Sequence, residues 1–209
     1  GNPTQLGRVV PRGFVAVLSN GDADIVEGSG RLELARWMTQ ADHPLTARVM
    51  VNRIWQQHFG RGIVETPDNF GQLGKPPTDP ELLDWLAEQF VRDGWSVKAL
   101  HRRIMLSETY CLDSGEGDDS TPQLLTRYPR RRLDAEEIRD AMLAVSGRLE
   151  SGAGSAHPFK PWYETGYSLN RPFHEEFATN RRSVYMMTQR LFRNSFLGLF
   201  DGADRNSST

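Results

Sequence analysis

A mainly α-helical protein is what this sequence predicts, and three observations predict it. Apolar residues recur at three- and four-residue spacings over residues 44–60, 82–90 and 138–149. Residues that start helices stand just before these segments, and glycines stand at or near their ends. The only strand-like stretch is short and lies near the beginning. The expected architecture is an irregular multi-helix domain with a short extended N-terminal arm and long loops.

Residues 9–18, VVPRGFVAVL, form that arm. Pro11 and Gly13 oppose a helix there, and the Val and Phe content favours a strand or a packed arm. SNGDADIVEGSG is a loop. A first helix runs from about Arg31 to Gln40, capped by Gly30 or Ser29, with Glu33 in its first turn. A second runs from Pro44, which suits a first helical position, to Gly60. The connection RGIVETPDNFGQLGKPP is too rich in Pro and Gly for regular structure.

The third helix has the clearest start. Thr78 and Glu81 read as a capping box around Asp79 and Pro80. Leu82, Leu83, Leu86 and Phe90 then share a face, and Gly94 stops the helix. Ser96 caps a fourth helix, with Trp95 and Leu100 placed as a hydrophobic staple. The acidic stretch DSGEGDDSTP, residues 113–122, is the candidate joint between subdomains 1–112 and 123–209 of a single domain fragment, 1–209. Asp134 and Glu137 open a fifth helix in capping-box fashion. Ile138, Ala141, Met142, Val145 and Leu149 give it an apolar stripe, and Gly147 marks its end. Residues 151–180 have no helical period, and another helix is expected from near Ser183.

Composition excludes several classes. The chain has 209 residues and a net charge of −2, so no bulk field draws it to nucleic acid or an anionic membrane. No apolar run approaches the ~20 residues of a membrane span. One cysteine, Cys111, allows neither an internal disulfide, nor covalent haem attachment through C-x-x-C-H, nor a Cys-rich zinc site. The chain begins at Gly1 and ends in the polar tail DGADRNSST, which reads as a piece of a longer protein.

The chemistry-bearing candidates cluster on the second helix. Ala47, Val51, Ile54, Trp55 and His58 fall on one stripe, while Leu45, Val49 and Phe59 form another, so the helix is expected to lie between layers. His58 reads first as a buried core histidine with satisfied nitrogens, and otherwise as a metal or haem ligand or a general base. No other histidine stands at ligand spacing to it, and no metal site is expected. Asn52 reads as a hydrogen-bonding partner for the 61–77 backbone. Arg53 reads as a partner for a carboxylate, and otherwise as an anion fork. In PFKPWYETGY, the aromatics Trp162, Tyr163 and Tyr167 are candidates for stacking on sugar rings, or else cover the core. The arginines in RYPRRRLDAEEIRD are interleaved with carboxylates, which favours local ion pairs over a nucleic-acid patch.

GRLELARWMTQADHPLTARVMVNRIWQQHFGRGIVETPDNFG, PPTDPELLDWLAEQF, GWSVKALHRRIMLSETY, RRRLDAEEIRDAMLAVSGRL and RRSVY together resemble a known family. It is the planctomycete-specific domain of unknown function found at the C-terminal end of multidomain proteins with cytochrome-c-like domains. Cys111 stands where that family favours a basic residue, and the family's T-P-x-Q-A-L-type closing segment is not found in the chain. The family supplies no catalytic residues to carry over. The resemblance implies a non-catalytic structural or interaction domain of an exported or periplasmic protein. It implies no cofactor in this chain, with haem in another domain. The partners implied are the parent's other domains and a polysaccharide. The alternative is a catalytic or substrate-binding part of a polysaccharide-degrading or redox enzyme.

Overall fold

The computed structural model describes residues 7–8, 12–19, 25, 28–115, 125–168, 170, 173, 175–187 and 194–200, all but the side chain of Trp162. Among them are six α-helices and no strand, so the protein is mainly α. The helices are α1 (Arg31–Met38), α2 (Thr46–Phe59), α3 (Pro80–Arg92), α4 (Val97–Met105), α5 (Ala135–Val145) and α6 (Trp162–Thr165). Two compact units divide the chain, Gly1–Arg130 and Arg131–Thr209.

The first unit is built on α2, α3 and α4. Val51, Ile54, Trp55 and Phe59 of α2 meet Leu83, Leu86, Ala87 and Phe90 of α3, with Leu100 and Ile104 of α4 closing the core. Each fully buried Leu or Phe contributes about 1.5–3 kcal/mol of transfer free energy. The helix ends follow from local chemistry. α3 stops in a Schellman motif: Trp95 N–H donates to Phe90 C=O at 2.9 Å and Gly94 N–H to Val91 C=O at 3.0 Å. Gly94 takes the left-handed backbone this requires, at φ 67°. The accompanying apolar contact is Trp95 on Phe90, ring centroids 5.3 Å apart. Ser96 caps α4 by accepting from Ala99 N–H at 3.2 Å. Arg48 joins α2 to Asp84 of α3 at 2.6 Å.

Several boundaries differ from the sequence reading. The cap of α3 is Asp79, which accepts from Leu82 N–H at 2.9 Å. Thr78 instead donates its N–H and hydroxyl to Ile63 C=O, at 2.9 and 3.1 Å, and so ties the preceding loop to the helix. α2 begins at Thr46 and not at Pro44, because His43 Nδ1 takes the free N–H groups of Leu45 and Thr46. The described part of the N-terminal arm is not a strand. Ala16–Leu18 is a 3₁₀ turn, and Phe14 stacks on Trp37 of α1 at 4.9 Å. Of the acidic stretch 113–122, residues 116–122 lie outside the described residues. Leu125 and Tyr128 pack on the core of the first unit.

In the second unit, polar contacts tie α5 to residues 179–183. Arg139 of α5 donates to Thr179 C=O, to Arg181 C=O at 2.9 Å and to the Ser183 hydroxyl at 3.2 Å. Asp140 accepts from Ser183 N–H and Oγ, at 2.8 and 2.7 Å. Glu150 and Arg181 form a single parallel bridge. The helix expected near Ser183 is only a 3₁₀ turn, Ser183–Tyr185; Met186 is extended, and residues 188–193 lie outside the described ones. Gly166, in the left-handed region, ends the short α6 that the sequence reading missed. The α5 stripe is largely uncovered: Met142 is 55% and Val145 88% exposed.

Candidate functional site

Three polar residues of α2 lead to three different neighbours. Asn52 is 0% exposed. Its Oδ1 accepts from Val64 N–H at 2.8 Å and its Nδ2 donates to Val64 C=O at 3.0 Å. The side-chain amide thus replaces a backbone partner for the buried loop. Gly62 makes room for it: a Cβ there would lie 2.6 Å from Val64 O and 2.7 Å from Asn52 Nδ2. Arg53 pairs with Asp68 at 2.8 Å, both side chains half exposed. An exposed pair of this kind contributes ~0–1 kcal/mol.

His58 is half-buried, not sealed in the core as its stripe position suggested. Its Nε2 lies 2.7 Å from Nδ1 of His101 on α4. The Tyr110 ring stands edge-on to His58 at 5.4 Å, and the Tyr128 hydroxyl donates to the His58 carbonyl at 2.8 Å. The sequence reading missed His101, 43 residues away, because spacing within one helix cannot report a pair made between helices. The available signal was its position beside Leu100 and one turn before Ile104, at the edge of the buried side of α4. No group of three or more His, Cys, Asp or Glu among the described residues could hold a metal ion.

Beside these residues lies a hollow of about 350 Å³. Its lining includes the apolar Trp55, Phe59 and Leu82 and the polar Arg61, Asp79 and Thr109. Arg61 pairs with Glu65 at 3.3 Å, and Lys75 reaches the same carboxylate at 2.5 Å. The hydrogen bond and charge of Lys75 hold the Glu65 carboxyl below the usual glutamate range.

The aromatic loop of the second unit does not gather its three predicted residues. Trp162 opens α6, and its side chain lies outside the description. Tyr163 is 70% exposed. Tyr167 donates to Glu175 at 2.8 Å and packs edge-on against Phe173. The hollow there, about 290 Å³, is lined by Phe159, Lys160, Thr165, Tyr167 and Phe173. The arginine cluster is engaged internally: Arg131 forks onto Glu137 at 2.6 and 3.1 Å, and Arg127 donates to Gly115 C=O.

A helical domain whose polar residues mainly organise its own loops is what the fold and site define. The chain belongs to the PSD1 family of proteins of unknown function (DUF1553), whose profile matches residues 30–209. No curated protein and no solved structure matches it.

Proposed function

We propose that this chain is a non-catalytic structural and interaction domain of an exported multidomain protein associated with cytochrome c. Its partners are the neighbouring domains of that protein, and haem belongs to one of them. The observation that carries the reading is the exposed stripe on α5. Met142 and Val145 lie on a regular, capped helix, yet they face solvent. Exposed apolar groups on a well-formed element suit a docking surface. Hydrogen exchange tests it on the isolated chain and on the longer parent. Docking slows exchange of the α5 amides in the parent; equal rates in both forms count against it.

The second reading is a substrate-binding part of a polysaccharide-degrading or redox enzyme. The hollow beside Phe159 and Tyr167 favours it, since aromatic walls with Lys160 and Thr165 suit a sugar ring. Titration with soluble oligosaccharides, followed by NMR shifts of residues 159–173, separates the two readings.

A further inference from the structure

Both ends of α2 rest on imidazole rings, and each ring works only while a nitrogen lone pair is available. At the N-terminal end, Leu45 N–H and Thr46 N–H donate to His43 Nδ1 at 3.3 and 3.2 Å, and the Thr46 hydroxyl lies 2.9 Å away. Backbone N–H groups can only donate, so Nδ1 is the acceptor and the ring hydrogen sits on Nε2. Nε2 is buried without a hydrogen-bond partner among the described residues, and the ring stands edge-to-face with Trp37 at 4.6 Å. A proton on Nδ1 would turn the acceptor into a donor aimed at donors. At the other end, the 2.7 Å bond from His58 Nε2 to His101 Nδ1 needs one hydrogen and one lone pair. The pair accommodates a first added proton. A second puts two cationic N–H groups face to face.

We propose that these rings form an acid-sensitive latch that loosens α2 within the first unit at mildly acidic pH. Charged side chains of both signs stand near these rings. Around His43 they are Arg36 of α1, Asp42 beside it, and Arg48 of α2, whose guanidinium binds Pro44 C=O at 2.7 Å and Asp84 of α3. Around the histidine pair they are Arg61 after α2, Lys98 and Arg102 on α4, Glu108 in the next turn, and the titratable Tyr110, Cys111 and Tyr128. Two cations stand against two carboxylates in the first set, and three cations against one carboxylate in the second. In the unfolded chain each histidine protonates freely near pH ~6.5. A proton on His43 Nδ1, or a second one on the histidine pair, fits only the opened contacts, so the latch holds at neutral pH and weakens as acid is added.

Thermal melting of the full chain tests the latch, comparing the wild type with the His43→Asn, His101→Asn double variant at pH 7.5 and 5.5. Asn offers an acceptor oxygen at each place and does not titrate. The wild type is expected to melt at least about 5 °C lower at pH 5.5, and the variant to lose at least half of that drop. An equal drop in both overturns the proposal. Imidazole ¹⁵N NMR of the wild type decides if the variant does not fold. The Nε2–H tautomer of His43 at pH 7.5, with α2 amides losing exchange protection by pH 5.5, supports the latch. The Nδ1–H tautomer, or unchanged α2 protection, overturns it.

Discussion

Asn52 binds both backbone groups of Val64, with the amide oxygen on the N–H at 2.8 Å and the amide nitrogen on the C=O at 3.0 Å. A side chain on α2 thereby acts as one rung of a sheet that the irregular loop lacks. Asn52→Ala leaves both groups buried and unpaired, and should destabilise the protein by about 2–4 kcal/mol. Urea unfolding measures this. A loss below about 0.5 kcal/mol would show that the loop finds other partners. Asn52→Asp should also destabilise, because a carboxylate keeps the Val64 N–H but repels its carbonyl.

Gly62→Ala should act on the same contact from the other side. A methyl group there meets both Val64 O and the Asn52 amide within 3 Å. The loop must move, and the Asn52 bonds lengthen. In a double-mutant cycle with Asn52→Ala, the double variant should lose less than the sum of the two single losses, since one substitution removes what the other disturbs. Strict additivity would contradict this coupling.

Asp79 and Thr78 separate two roles that the sequence motif merges. Asp79→Ala removes the cap of α3 and should cost about 1 kcal/mol. Thr78→Ala leaves that cap intact and removes the hydroxyl bond to Ile63 C=O. Amide exchange should distinguish them, with the first α3 turn fraying in Asp79→Ala but not in Thr78→Ala.

Glu137 and Glu65 should titrate low, for nameable reasons. The Arg131 hydrogen bond holds Glu137 below the ordinary glutamate range, with a further contribution from Asp134 N–H. Lys75 does the same for Glu65. A lowered folded value means that each contributes stability above the unfolded value and loses it as pH falls through the folded one. Carboxyl ¹³C titration should show the Glu137 midpoint rising in Arg131→Ala and the Glu65 midpoint rising in Lys75→Ala. Unmoved midpoints would refute these causes.

Added haem should give no stoichiometric Soret shift with the isolated chain. His58 Nε2, the nitrogen that ordinarily ligates a haem iron, is engaged with His101, and the Tyr110 ring stands against the imidazole. Visible absorption titration checks this. A saturating one-to-one shift that disappears in His58→Ala would place a haem ligand here.

Local signals made the helices legible. Ser96, Asp134 with Glu137, and Gly94 mark ends through bonds spanning only a few residues, and the structure uses each of them. Where a residue serves a distant partner, local reading fails. Thr78 looks like a cap but belongs to Ile63, and Pro44 looks like a start but is preceded by the His43 acceptor. The Asn52 loop contact follows from the need of any irregular buried backbone for partners. The His58–His101 bond depends on how α2 and α4 pack, and nothing in either segment encodes it alone. In the second unit, apolar spacing forms α5 without burying its stripe, because periodicity sets a face and not what covers it.

Residues 113–115 and 127–128 of the first unit are clasped together. Tyr128 N–H donates to Asp113 C=O at 3.1 Å, and Arg127 reaches Gly115 C=O at 2.9 Å, so the chain returns to the place it left. A clasp of this kind isolates the scaffold from the length of chain between its two halves, since closing a loop twice as long costs only about 0.6 kcal/mol more. Extra residues inserted between 115 and 125 should therefore leave the melting temperature of the helical scaffold nearly unchanged while Asp113, Gly115, Arg127 and Tyr128 stay engaged.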